Sequence, residues 1–378
     1  MTIPLLILCP IADHQLGILS QRFDVTYAIT DVAREQAIRE RGQAFRAVLT
    51  IGTIGLSGEE IAAMPRLELV SCMGAGYETV DAAAARARGI VMTNGRGAND
   101  DCVADHAMGM LIAVVRNFRK LDQQCRAGVW RTQIPVPPGI SGKRLGILGM
   151  GAIGEKIATR AQGFGLRIGY HNRNPKPGSA HPYFDSLTAM AEWCDVLLCV
   201  APGGASTRHL VNAELLRALG PRGYLLNLGR GSIVDTAALA AALRDGVIAG
   251  AGLDVYESEP EPPAELLALD NLLLTPHVGG WSPESVEAQF TIYLQNLEGH
   301  FSGRGVVTPV QRRSNAGLTR HEAAAPCRLR ADARRTDGVL SACARPCTAA
   351  GRCRRRRGVP SPGSRTRRRP LAAPAPRR

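Results

Sequence analysis

The sequence contains no apolar stretch of membrane-spanning length. Runs such as Met108–Val115 fall far short of the roughly 20 residues that a bilayer-crossing helix needs, so no membrane span is expected. The N-terminus, Met1–Pro10, has neither the basic flank nor the small-residue cleavage site of a signal peptide and reads as a first strand, which points to a cytoplasmic protein. Cysteine pairs are missing too. Cys9, Cys72, Cys102, Cys125, Cys194 and Cys199 show no CxxC spacing, so no metal is expected and reduced thiols in a cytosol fit best. From Gln311 onward lysine is absent, while 19 Arg face 3 acids for a charge of +16; against +13 for the whole chain, residues 1–310 carry −3. A faintly acidic body has no electrostatic reason to seek nucleic acid, and only non-specific binding through the basic tail is expected. No fixed-period repeat is visible.

Short apolar runs alternating with amphipathic stretches fill residues 3–310. This is the pattern of βα units wound into mostly parallel sheets. A first series of strands is expected at Leu5–Cys9, Ala47–Ile51, Leu67–Met73 and Ile90–Thr93, followed by one long helix over Asp101–Leu121. A second, denser series is expected at Arg144–Leu148, Arg167–Tyr170, Val196–Val200, Tyr224–Leu228, Gly250–Val255 and Leu272–Leu274. These runs of Val, Ile and Leu lack polar alternation, as strands covered on both faces do. A final helix opens at Ser282-Pro283, an N-cap followed by proline at the first helical position. The second sheet is complete by Thr275, so this helix is expected to cross back to the first domain and make it discontinuous. The tail is dominated by Ala, Pro, Gly and Arg without a sustained period, which reads as disorder and a dispensable extension.

Gly149-Met150-Gly151-Ala152-Ile153-Gly154 follows an expected strand and opens an expected helix. In that setting the glycines permit a tight turn, a close approach to a pyrophosphate and close helix packing, the fingerprint of a dinucleotide site. Such a site usually carries an acid about 20 residues on, at the end of the second strand. Here Asn172 and Arg173 stand in its place. A carboxylate would repel a 2′-phosphate, whereas Arg173 offers it a charge-assisted pair and Asn172 still offers the ribose a hydrogen bond, so NADP is favoured over NAD. Further on, Arg230, the acids Glu257 and Glu259, and His277 each follow an apolar strand, and so fall together at the carboxyl edge of the sheet, where open α/β folds bind ligands. A cation that fixes a carboxylate and an acid-paired His that gives a proton to a forming alkoxide are what hydride transfer to a 2-keto acid requires.

With these motifs the sequence resembles the D-isomer-specific 2-hydroxyacid dehydrogenases over roughly residues 40–310. The resemblance rests on the glycine motif at 149–154, on Leu228-Gly229-Arg230-Gly231-Ser232-Ile233-Val234-Asp235, on Gly252 through Pro260, and on Thr275-Pro276-His277. It implies two Rossmann-like doubly wound α/β domains: a discontinuous, flavodoxin-like substrate domain at 1–98 and 283–310, and an NAD(P)-binding Rossmann domain at 99–282, with 311–378 as a tail. It implies Arg230 as the substrate-binding arginine, Glu259 rather than its neighbour Glu257 as the partner acid, and His277 as the general acid/base. Asp254 would contact the nicotinamide carboxamide, and Pro202, Thr207, Leu228 and Gly279 would line the cofactor beside Gly149, Gly151, Ala152, Ile153 and Gly154. The N–H groups of Ala75 and Gly76, in the loop Met73–Asp81, would hold the substrate carboxylate. Trp130 falls in a segment that reaches a dimer partner in many members, so a homodimer is expected. Within the family the motifs are most similar to glyoxylate and hydroxypyruvate reductases, with phosphoglycerate dehydrogenase an alternative branch. A nucleotide-sensing, corepressor-like protein on the same fold is the alternative from another functional class.

Overall fold

The computed structural model describes residues 2–310; the Arg-rich stretch beyond, and the disorder expected of it, lie outside the described residues. Among the described residues eleven strands form two sheets, and every pairing between neighbours is parallel. The first sheet contains β1 (Pro4–Ile7), β2 (Asp24–Tyr27), β3 (Ala47–Ile51), β4 (Leu69–Met73) and β5 (Val91–Asn94), in the order β2-β1-β3-β4-β5. This is the flavodoxin-like order. The second contains β6 (Arg144–Leu148), β7 (Arg167–His171), β8 (Val196–Cys199), β9 (Tyr224–Asn227), β10 (Gly250–Leu253) and β11 (Leu272–Leu274), in the order β11-β10-β9-β8-β6-β7. A lone bridge between Tyr170 and Tyr183 extends it beyond β7. Counting that bridge as a strand gives the doubly wound 3-2-1-4-5-6 order with one strand appended. The α/β class with two doubly wound sheets is therefore as expected.

The dense strands form because both faces are covered: Leu145, Ile147, Val196, Leu197, Leu198, Leu225 and Leu226 are all fully buried. One face of the second sheet is closed by helix Asp100–Val115, which inserts Val103, Ala107, Met110, Leu111 and Val114. The single long helix expected over Asp101–Leu121 is in fact two. The first stops at Val115, Asn117 takes a left-handed conformation with φ of 51°, and a second helix restarts at Phe118–Arg126. Asparagine tolerates that conformation better than most residues, which allows the chain to turn there. β2 was not expected at all, because an edge strand exposed along one side needs no dense apolar run.

Helix Pro283–Phe301 is capped as expected, Ser282 Oγ accepting from the Ser285 N–H with Pro283 at the first position. It returns to the first sheet, burying Phe290 and Leu297 against Leu5, Ile7, Leu49 and Leu69. Each of these two side chains contributes about 2 kcal/mol of burial. The chain then runs back along β5, where the Val310 N–H donates to Met92 O at 2.8 Å. No described helix is long and apolar enough to cross a membrane.

Candidate active site

β6 and β8 lie side by side and their chains leave in opposite directions, which opens a crevice at the carboxyl edge of the second sheet. The glycine motif sits there, and its three glycines answer to three constraints. Gly149 has φ of +107°, and a β-carbon on it would come within 2.7 Å of Ala201 N. Gly154 lies against the Gly149 carbonyl, so a side chain there would push the helix off the strand. Gly151 caps helix Ala152–Gly163 and has open space above it. The first-turn N–H groups of Ala152 and Ile153 thus lie at a positive helix end that no side chain at Gly151 covers, a setting that fits a dinucleotide pyrophosphate.

Asn172 does more than sequence reasoning assigned to it. Its Oδ1 accepts from the Met150 N–H at 2.7 Å and ties the end of β7 to the glycine loop, leaving Nδ2 for a ribose. Arg173 is exposed beside it. Lys176, which was not singled out, pairs with Glu155 at 2.5 Å on the same rim. Thr207 Oγ1 donates to the carbonyls of Pro202 and Gly204 at 2.9 and 3.1 Å, bracing the loop after β8. Leu228 is buried under the crevice, its N–H on Cys199 O.

At the other end of the crevice His277 and Glu259 meet. The His277 Nδ1–H donates to Glu259 Oε2 at 2.9 Å, and Glu259 Oε1 accepts from the Tyr256 N–H at 2.9 Å. With Nδ1 taken, His277 Nε2 has no hydrogen-bond partner among the described residues and is the nitrogen available to a ligand. Glu257, the neighbouring acid, is engaged elsewhere: it accepts from His209 Nε2 at 2.7 Å and Thr236 Oγ1 at 3.0 Å. The hydrogen bond to Glu259 raises the His277 pKa above its ordinary value, outweighing the burial that lowers it. Burial pushes the Glu259 carboxyl up, but its bonds from His277 and Tyr256 bring it below the ordinary value. Burial, with the Asp254 and Glu259 carboxylates beside it, pushes the Tyr256 phenol up to about 12, so it stays neutral.

The backbone at His277 is left-handed, with φ of 54°, a conformation that costs roughly 1–2 kcal/mol for an L-residue. Asp254, only 2% exposed, holds it there. Its carboxylate accepts from the N–H groups of Val278 and Gly279 at 3.0 and 2.8 Å and from Thr275 Oγ1 at 2.6 Å, and its carbonyl accepts from the His277 N–H at 2.8 Å. His106 Nε2 lies 3.1 Å from Thr275 Oγ1 and joins this web from the long helix. Asp254 therefore anchors the His277 loop, whatever it also offers a cofactor.

Arg230 follows β9 and reaches toward the first sheet. Its Nη1 donates to Gly229 O at 2.7 Å and its Nε to Glu78 Oε1 at 3.1 Å. A β-carbon on Gly76 would overlap the guanidinium, so the loop carrying Ala75 and Gly76 lies directly against Arg230. The structure thus brings together Arg230, His277, Glu259 and Gly76, while Asn172 and Arg173 stand apart at the far end of the glycine loop. Glu78 was missed, although it lies inside the loop already read as an anion nest. Gly231 is fixed by the carbonyl of Tyr256, which a β-carbon would penetrate. Gly231→Ala should lower stability by about 1–3 kcal/mol through overpacking, read from the urea midpoint at unchanged slope.

Comparison with known proteins agrees with this geometry. Residues 108–279 match the model of the D-isomer specific 2-hydroxyacid dehydrogenase, NAD binding domain. The chain is 37% identical over 309 residues to a hydroxyphenylpyruvate reductase of Plectranthus scutellarioides, covering 82% of this chain and 99% of that protein. It is 35% identical over 310 residues to a glyoxylate/hydroxypyruvate reductase A of Arabidopsis thaliana, with the same coverage of 82% and 99%. Among solved structures, the NADPH-dependent glyoxylate/hydroxypyruvate reductase of Sinorhizobium meliloti, in complex with NADP and malonate, superposes with a TM-score of 0.75 at 36% identity, covering 83% of this chain and 100% of that one. The chain belongs to the D-isomer-specific 2-hydroxyacid dehydrogenase family and is an NAD(P)-dependent oxidoreductase of 2-keto and 2-hydroxy acids.

Proposed function

We propose that the protein reduces a small 2-keto acid, with glyoxylate and hydroxypyruvate the first candidates, to the D-2-hydroxy acid. The observation that carries this reading is the placement of Arg230 and the His277–Glu259 pair in one cleft opposite the Gly76 loop. Bound nicotinamide supplies the hydride from C4 to the ketone carbon. Arg230, with the N–H groups of Ala75 and Gly76, holds the keto acid, and protonated His277 gives its Nε2 proton to the forming alkoxide while Glu259 stabilises the imidazolium. Gly149, Gly151, Ala152, Ile153, Gly154, Pro202, Thr207, Leu228, Asp254 and Gly279 form the cofactor wall. The lining around Arg230 is made of glycines, charged side chains and Ser232, with Tyr256 its aromatic member among the described residues, which suits a small polar substrate. Chiral analysis of the product from hydroxypyruvate tests the reading: D-glycerate is expected, and L-glycerate would sink it.

The domain division at 98/99 and 282/283 belongs to the same reading, and the return of helix Pro283–Phe301 to the first sheet supports it. A cytosolic setting suits the six unpaired cysteines of the described residues. Exposed Trp130 and Val136, on the segment leading to β6, support a homodimer through that face.

NADP is the preferred cofactor in this reading, since the position of the usual ribose-binding acid is Asn172 and the exposed Arg173 offers a 2′-phosphate a cation. Arg173→Ala should raise KM for NADPH about tenfold or more, the loss of one charge-assisted hydrogen bond or two, and leave KM for NADH nearly unchanged. Parallel steady-state kinetics with both cofactors checks this.

The raised His277 pKa sets the pH dependence. Reduction consumes the protonated imidazole, so reductive kcat/KM should hold at low pH and fall as pH rises through the His277 pKa; oxidation should show the opposite limb. Glu259→Gln removes the main cause of the upward shift. Its reductive limb should therefore move to lower pH, and a limb that stays in place would reject Glu259 as the partner.

A further inference from the structure

Among the described residues lining the cleft, Glu78 is the carboxylate that pairs with Arg230. Glu259 is bonded to His277 and the Tyr256 N–H, and Glu257 to His209 and Thr236. Glu78 instead crosses from the loop after β4 to the Arg230 guanidinium, with Oε1 3.1 Å from Nε. Its other oxygen crowds the same spot, lying 2.7 Å from where a β-carbon on Gly76 would be. Both side chains of this pair are about one-third exposed, at 39% for Glu78 and 33% for Arg230, and an ion pair so open to water is easily exchanged.

The geometry points to Glu78 as a specificity-determining residue that selects keto acids carrying a single negative charge. This inference rests on the function proposed above and names its substrate class. Glu78 holds the guanidinium that a substrate carboxylate must take, so the two compete for Arg230. Once displaced, Glu78 stays on the wall as a negative charge. A monoanionic keto acid brings one carboxylate, which Arg230 and the Ala75 and Gly76 N–H groups satisfy. A second anionic group, a carboxylate or phosphate on C3, meets Glu78, Glu257 and Glu259 together. The other arginine lining the cleft, Arg208, is itself 3.6 Å from Glu257. Like charges in a half-enclosed cleft reject such a ligand without any steric block.

The test compares wild type with Glu78→Gln and Glu78→Asp on two monoanions, glyoxylate and hydroxypyruvate, and two more highly charged acids, oxaloacetate and 3-phosphohydroxypyruvate. In Glu78→Gln the ratio of kcat/KM for the latter pair over the former should rise about tenfold or more at low salt and less at high salt. KM for glyoxylate should fall as the internal competitor is lost. Glu78→Asp keeps the charge and should keep most of the discrimination. An unchanged ratio in Glu78→Gln, or an equal rise in both variants, overturns the proposal. Titration calorimetry of the NADP-loaded protein with oxamate and malonate reads the same selectivity without turnover: Glu78→Gln should gain affinity for malonate relative to oxamate. Absence of turnover in the wild type would defeat the proposed function, while these binding data would still decide the role of Glu78.

Discussion

Replacing His277 with asparagine should lower glyoxylate reduction by about 10²–10⁴-fold, the usual worth of a positioned proton donor. Affinity for NADPH should stay near that of the wild type. Asparagine is the informative choice because the backbone at His277 is left-handed, and asparagine accepts that conformation where alanine would add strain. The loop itself is held by backbone N–H groups on Asp254, none of which involves the imidazole. The variant thus removes the proton donor and leaves its support. If the loss appeared in KM for NADPH rather than in kcat, His277 would be a cofactor-binding residue and the proton would have to come from elsewhere.

The second large effect is expected at Arg230. Arg230→Ala removes the cation that the keto-acid carboxylate and developing oxyanion share, and leaves Glu78 and Glu259 facing the substrate uncompensated. A loss of about 10²–10³-fold in kcat, typical for one oxyanion donor, should be joined by a rise in KM from repulsion by those carboxylates. Arg230→Lys keeps the charge but not the planar fork that reaches Gly229 O and the cleft together. It should recover KM more than kcat. Equal recovery of both would mean that Arg230 acts only as a point charge for binding.

Much of this was legible in the sequence, for reasons that can be located. The bounds of β3 and β6 coincide with the expected runs because mostly buried strands are built largely of apolar residues, and those of the edge strand β11 coincide because it is three consecutive leucines. The edge strand β2 escaped because its residues are half exposed and carry no such run. The break at Asn117 escaped because the apolar spacing persists through it and only the backbone turns. At the site, residues that follow strands were legible because topology alone carries them to one edge. The Glu78–Arg230 contact was not, because it joins loops of two different sheets, 152 residues apart in sequence, whose meeting no local pattern encodes. Asn172 was read for the ligand it might serve and not for the glycine loop it holds, since a side chain's second hydrogen bond leaves no mark on spacing.

The measurement that bears most directly on the central claim is loss of nicotinamide absorbance by the purified protein, with NADPH and NADH in parallel and glyoxylate, hydroxypyruvate, pyruvate and 3-phosphohydroxypyruvate as substrates. Rapid turnover of the first two with NADPH, abolished in the His277 variant, is the expected result. Tight cofactor binding without turnover of any keto acid would contradict it and would leave a nucleotide-sensing protein built on this fold.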